Sequence, residues 1–305
     1  MRCAKLLQLL PFGLSLVHMA QAQTSYTGAV GNLPIELVLE DIGKYPPTKP
    51  IDVAGLYVYT KFNSPIALKG TLKQGHLTLN ELDAHSKTRA TLTIPAFTQA
   101  NHTLTGTWKN LATGQQLPFT LTQRFAATTG EGTAWAGYEL LEQATLKDIF
   151  FKTVLAKQAD EYYAKIVGVK LFEKKTGQLL QQFAVEDCQM LGFTHNVSIG
   201  DYNFDGKPDF SVFEHSYAGP NTSSLYFLCN PATQRFEESD FAGISLEFDP
   251  KAKRIYERNS CCAGTSVTTA KYKVLNDKMV LLEQHCYRWN DKKKGLVERP
   301  LSACQ

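Results

Sequence analysis

The sequence predicts an all-β protein in two parts: an N-terminal antiparallel barrel or sandwich over residues 23–123, and a second, cysteine-bearing β domain over 140–305. Three observations predict it. Through the first part, short runs of strand-forming residues are separated by turn formers at regular spacing, the pattern of an antiparallel sandwich or barrel. Once Cys3 is set aside with the leader, all six remaining cysteines lie in the second part. Between two strand-forming segments of that part stands an oxygen-rich loop, Asp201 to Asp209, of the kind that binds a hard cation.

Taken in order, residues 1–22 read as a signal peptide, with Arg2 and Lys5 ahead of the apolar run Leu6 to Val17 and small residues at Ala20-Gln21-Ala22. No later stretch reaches the roughly 18 consecutive apolar residues of a membrane span. A periplasmic or secreted chain without a membrane anchor is therefore expected. Loss of Arg2 and Lys5 lowers the formal charge from +3 to +1, and Lys292 to Lys294 is only a short basic run. Neither nucleic acid nor an anionic membrane surface is expected as a partner.

In the N-terminal domain, strands are expected at 25–30, 34–39, 53–60, 66–72, 76–82, 90–94, 102–109 and 117–122. Gly28, Gly55, Gly70 and Gly106 fall in or beside them, where a strongly curved sheet needs tight bends. Tyr57, Tyr59 and Trp108 read either as packing of that sheet or as a sugar-stacking platform. Residues 124–139 read as a linker. Leu141, Leu146, Ile149, Phe150 and Val154 have helical spacing, so 140–156 reads as a helix, with a strand pair as the alternative. Beyond it a hairpin (166–172 with 178–185) and further strands (224–229, 244–248, 254–259, 267–275 and 279–287) follow, the last two joined at Asn276-Asp277.

An even number of cysteines in an exported chain implies disulfides among Cys188, Cys229, Cys261, Cys262, Cys286 and Cys304, with the pairing open. Cys261 and Cys262, being neighbours, are expected to bond to two different partners. The spacing has no Cys-x-x-Cys and fits no zinc site.

The loop places oxygen ligands at alternate positions, Asp201, Asn203 and Asp205, followed by Gly206, the Lys207 carbonyl and Asp209. These are the first, third, fifth, sixth, seventh and ninth positions of an EF-hand loop, and the donor set favours Ca2+ over magnesium or zinc. Tyr202 and Phe204 face away from the ion. The twelfth position is Val212 in place of the bidentate Glu, and the flanks are strand-forming, so a helix-loop-helix sensor is not expected. The competing reading is an Asp-rich turn without metal.

The sequence has no Gly-x-Ser-x-Gly elbow, His-Glu-x-x-His, phosphate loop or dinucleotide fingerprint. No catalytic residue is assigned, and a non-enzyme is expected. Glu186, Asp187 and Glu214 are weighed as an acid pair, and His215 as a further ligand or base. The segment His215 to Ser223 is instead read as a recognition loop, with Tyr217, Asn221 and Ser223 as partner-binding residues. Calcium on one side and a disulfide on the other would brace it.

Gly200 to Phe210, the strand Leu225-Tyr226-Phe227-Leu228, the turn Pro231 to Phe236 and the strand Thr269 to Val274 together carry a resemblance. Residues 160–290 resemble the bacterial periplasmic immunity proteins that inhibit lysozyme-type effectors of type IV secretion systems. The resemblance implies a propeller-like β domain with a single calcium loop, and a protein partner of the lysozyme type. The N-terminal half is similar to uncharacterised exported β domains, through the strand of Tyr57 and Tyr59 and through Gly106-Thr107-Trp108. The expected function is binding and inhibition of a lysozyme-type peptidoglycan hydrolase. A calcium-dependent carbohydrate or cell-wall binding module is the alternative.

Overall fold

Strand-forming runs joined by tight turns dictate meanders. The computed structural model, which describes residues 23–40, 49–83, 85–98, 100–127, 132–191 and 194–304, is built from them almost throughout. The expected signal peptide lies outside the described residues. Among them no helix is long and apolar enough to cross a membrane.

The first eight strands are β1 (Gln23–Val30), β2 (Leu33–Glu40), β3 (Ile51–Tyr59), β4 (Ile66–Lys73), β5 (His76–Leu82), β6 (Thr88–Ile94), β7 (Thr103–Asn110) and β8 (Gln116–Ala126). Each pairs antiparallel with the next and β8 returns to β1, closing a barrel. Closure leaves no free edge and fills a small interior with side chains. Tyr26, Leu37, Tyr57, Leu79, Leu92 and Phe119 make up much of that filling. The curvature requires glycine where strands come closest. A Cβ on Gly28 would lie 2.0 Å from the Thr120 carbonyl oxygen, and one on Gly70 1.9 Å from that of Thr78.

Tyr57 is wholly buried, donates to Glu81 Oε2 at 2.6 Å and lies near the Tyr59 hydroxyl, while Trp108 Nε1 reaches the same Glu81 oxygen at 3.3 Å. These aromatics pack and bond within the barrel wall; the buried Tyr57 is no stacking platform.

Three meanders follow. The first holds β9 (Trp135–Thr145), β10 (Ile149–Lys157), β11 (Lys165–Glu173) and β12 (Leu179–Cys188); the second holds β13 (Val197–Gly200), β14 (Asp209–Ser216), β15 (Thr222–Asn230) and β16 (Arg235–Glu238). The third holds β17 (Glu247–Asp249), β18 (Arg254–Cys261), β19 (Ser266–Leu275), β20 (Lys278–Asn290) and β21 (Gly295–Arg299). Successive antiparallel sheets of four or five strands are the blade unit of propeller-like folds.

Residues 140–156 fall in the β9–β10 hairpin, the strand pair weighed as the alternative to a helix. Its burial follows a period of two: along β10, Phe151, Thr153, Leu155 and Lys157 are buried in alternation. The expected linker is also shorter than 124–139. Arg124–Ala126 continue β8, and β9 starts at Trp135, because Phe125 and Trp135 pack edge to face at 5.1 Å. Alternation on β2, β3 and β8 turns Val38, Leu56, Val58 and Phe125 outward, where they share a core with Phe151, Ile166, Phe210 and Phe227 of the first two sheets. Those two sheets are further tied by Glu142 of β9. This fully buried carboxylate accepts from Thr153 Oγ1 (2.8 Å), Asn196 Nδ2 (2.9 Å) and the Asn196 backbone N–H (3.0 Å).

The cysteines depart from expectation. Cys286 and Cys304 form a disulfide that fastens the C-terminus to β20. Cys261 and Cys262 are bonded to each other and not to two separate partners. The β18–β19 turn, left-handed at Cys262 (φ 58°) and Ala263 (φ 53°), brings the adjacent side chains together. Cys188 and Cys229 are buried free thiols on β12 and β15, packed in the shared apolar core. Burial pushes the Cys188 thiol up to about 12, with nearby carboxylates adding to the effect.

Candidate functional site

Two loops flank β14. The first, 201–208, joins β13 to β14 and holds the expected cation ligands. Asp201 accepts the backbone N–H of Asp205 (3.0 Å) and Gly206 (2.9 Å), Asn203 Oδ1 accepts that of Asp205 (3.1 Å), and Asp205 accepts that of Lys207 (2.7 Å). Asp209, fully buried at the start of β14, accepts from the backbone N–H of Tyr202 and Cys229, each at 2.8 Å. Burial pushes its carboxyl up to about 6 against the pull of those N–H groups. Tyr202 and Phe204 turn inward, as the alternation requires, into a third core with Tyr226, Leu228, Phe241 and Ile255. Neighbouring hairpins hold the rim: Asn203 Nδ2 donates to Asp277 at 2.8 Å and Lys253 Nζ to the Phe204 carbonyl at 3.0 Å. Asp277 was legible only as half of a hairpin turn, because its partner stands 74 residues earlier. Val212, at the twelfth position, is buried in the core.

The donor set of this loop is oxygen only, which is the chemistry calcium takes. Among the described residues, no group of three or more His, Cys, Asp or Glu side chains is arranged to hold a metal ion. The aspartates close the loop through its own amides, and a carboxylate so engaged keeps further lone pairs, since it has about four.

The second loop joins β14 to β15 at the opposite end of β14, a separation of about 23 Å at ~3.3 Å per residue. A cation at 201–209 therefore does not brace 215–223 directly, and His215 is no candidate ligand. Nor does a disulfide brace it, Cys229 being a free thiol. Two polar side chains do so instead. Asn221 Nδ2 donates to the Ser260 carbonyl (2.8 Å) and Asn259 Oδ1 (3.0 Å), and its Oδ1 accepts the Ser260 N–H (3.0 Å). The Ser245 hydroxyl accepts the Thr222 N–H at 3.1 Å, and its own N–H donates to the Thr222 carbonyl at 2.7 Å. Across the loop, Tyr217 N–H reaches the Asn221 carbonyl at 2.9 Å, and the Tyr217 and Ser223 hydroxyls are 3.3 Å apart.

These bonds sort the expected partner-binding residues. Tyr217 stands out at 46% exposed, its ring lying near-parallel to that of His215 at 5.8 Å. Ser223 supports it. Asn221 is 7% exposed and its amide is engaged inside the fold, so it braces the loop and presents nothing to a partner.

Of the carboxylates weighed as an acid pair, Asp187 does not fit the role of general acid. Asp187 is ion-paired with Lys165, whose ammonium holds the carboxyl below the usual carboxylate range, the opposite of a general acid. His215 Nε2 lies 3.9 Å from the same Asp187.

Fold and loops together define the chain as an all-β protein in which a closed barrel precedes blade-like sheets, with one aspartate-rich loop and one braced, tyrosine-bearing loop at opposite ends of a central strand. No family model matches it, and no curated protein does. Among solved structures it aligns with a Lactobacillus plantarum protein at 12% identity and TM-score 0.24, over 91% of this chain and 95% of that one. It also aligns with an oligogalacturonate lyase from Vibrio parahaemolyticus at 9% identity and TM-score 0.18, over 89% and 88%. An oligogalacturonate lyase in complex with manganese aligns at 9% identity and TM-score 0.21, over the same shares. At such scores these likenesses carry no functional argument.

Proposed function

We propose that the chain is an exported calcium-binding protein that binds and inhibits a lysozyme-type peptidoglycan hydrolase, acting by occlusion and not by turnover. The observation that carries the reading is the β14–β15 loop. The exposed Tyr217 opens the loop, while the loop's own Asn221 ties it to Ser260 of the neighbouring sheet and the Ser245 hydroxyl holds the Thr222 N–H. A loop ordered before binding loses little conformational entropy when it docks, and tyrosine gives large contact area at low entropic cost. The resemblance of residues 160–290 to lysozyme-inhibiting immunity proteins supports the partner class.

Calcium would be held by Asp201, Asn203, Asp205, the Lys207 carbonyl and Asp209. There the ion would supply charge that binds the loop into one conformation. Its distance from Tyr217 along β14 favours a stabilising role over a direct bridge to the partner.

The test is inhibition of a panel of lysozyme-type enzymes by the purified chain, with calcium and with chelator. Tight inhibition of one member, lost on Tyr217→Ala without loss of melting temperature, supports the reading. Absence of inhibition across the panel, or unchanged inhibition by the variant, overturns it.

A further inference from the structure

We propose that the groove between the barrel and the first blade-like sheet is a binding site for a carboxylated sugar, independent of the β14–β15 loop. The groove has a volume of about 420 Å3, and Ser25, Thr27, Glu36, Arg124, Tyr138 and Lys152 line it. That size suits a small molecule, and such sites favour the seams between domains.

Two β-bulges shape the groove, one on each wall. In the β1–β8 pairing Ser25 faces Phe125 and Tyr26 faces Gln123, which leaves Arg124 as the extra residue. In the β9–β10 pairing Ala136 faces Ala156 and Tyr138 faces Leu155, which leaves Gly137. Gly137 has φ 80°, and nothing lies within 4 Å of where a Cβ would stand. A bulge bends its strand and re-aims side chains, and bulges concentrate beside functional sites. Arg124 and the Tyr138 that follows Gly137 both line this groove.

The charges point to the ligand. Lys152 is paired with Glu36 and Lys170 with Glu139, each at 2.7 Å, so these four are mutually compensated. Arg124 is exposed and has no ion-pair partner among the described residues. One uncompensated guanidinium, with its planar fork of donors, matches a single carboxylate. A dianionic phosphate would exceed that charge and also meet Glu36 and Glu139.

The rest of the lining suits a sugar ring. Tyr138 is stacked on Phe125 with centroids 3.8 Å apart and meets Trp135 edge-on at 5.4 Å, so the ring is held in place while 37% of the residue stays exposed. Around it, the hydroxyls of Ser25 and Thr27 and the carboxylates of Glu36 and Glu139 offer partners for sugar hydroxyls. An apolar ring face, several hydroxyl partners and one guanidinium together select a pyranose bearing one carboxylate.

The test is calorimetric titration of the full chain at low salt with glucuronic acid, glucose and adenosine monophosphate. Expected are one glucuronate per chain, bound at least tenfold tighter than glucose, and loss of that preference in Arg124→Gln at unchanged melting temperature. Equal binding of glucose, saturable binding of the nucleotide alone, no saturable binding of glucuronate, or wild-type affinity in Arg124→Gln would each overturn the proposal. Because Tyr217 is untouched, hydrolase inhibition by Arg124→Gln reports separately on the proposed function.

Discussion

Asn221 and Ser260 exchange two hydrogen bonds, Asn221 Nδ2 to the Ser260 carbonyl at 2.8 Å and the Ser260 N–H to Asn221 Oδ1 at 3.0 Å. This pair closes the β14–β15 loop of one sheet onto a strand of the next, and under the proposed function it separates bracing from contact. Asn221→Ala removes both bonds and the one to Asn259. With a net contribution near 1 kcal/mol per bond, the expected loss is about 3 kcal/mol in denaturant unfolding. If the chain inhibits a hydrolase as proposed, that inhibition should weaken along with it. Tyr217→Ala should do the reverse, leaving stability within about 0.5 kcal/mol, as for an ordinary surface position, and losing inhibition. If the two variants behave alike in both measurements, the division of roles is wrong.

If the 201–209 loop takes calcium, the ion binds the folded chain alone and must raise its melting temperature. Mass action sets the scale, about 2.7 kcal/mol at a hundred times the dissociation constant. Asp201→Ala and Asp205→Ala should abolish that calcium-dependent rise, and magnesium at equal concentration should not reproduce it. Melting curves that superimpose with calcium and with chelator would leave the loop as the hydrogen-bonded Asp-rich turn.

The local part of the fold was legible in the sequence. Barrel strands came out within a few residues of their observed ends because a half-buried strand must alternate, and because Gly28 and Gly70 sit where neighbouring backbone leaves no room for a Cβ. Residues 140–156 misled because Leu141, Leu146, Ile149 and Val154 satisfy a helical period by coincidence, while the burial of β10 follows a period of two. What escaped was long-range. Asn221 has the composition of a contact residue, and only Asn259, 38 positions later, shows it to be a brace. Arg124 fell in an apparent linker, and the bulge that gives it a role exists only in the pairing of β8 with β1. Adjacent cysteines likewise look destined for separate partners until the turn between β18 and β19 is known.

The cysteine arrangement predicts a thiol count. A chain beginning at Gln23 should show no thiol reactive towards an aromatic disulfide reagent while folded, since Cys188 and Cys229 are buried and burial raises both thiols. Unfolding without reductant should release two. Four would mean that Cys261 and Cys262 are not bonded to each other, and none would mean that Cys188 and Cys229 are joined.

Glu142 predicts an unusual pH response. Its carboxyl is pushed up to about 7 by complete burial, against hydrogen bonds from Asn196 and Thr153 that favour the ionised form. The folded chain therefore holds this proton at pH values where the unfolded chain, near 4.5, has released it. Between those two values the folded state binds more protons, so stability falls as pH rises, and above about 7 the slope from this group vanishes. The shift corresponds to on the order of 3 kcal/mol. Asp209, raised to about 6, acts in the same direction, whereas exposed carboxylates such as Asp187, held low by Lys165, oppose it weakly. Glu142→Gln isolates the term. Between about pH 5 and 7, inside the window set by that carboxyl, the stability of the parent chain in denaturant unfolding should fall more steeply than that of the variant. Parallel profiles would mean that the Asn196 and Thr153 donors keep Glu142 ionised throughout, so that it ties the first two sheets together as a permanently charged acceptor.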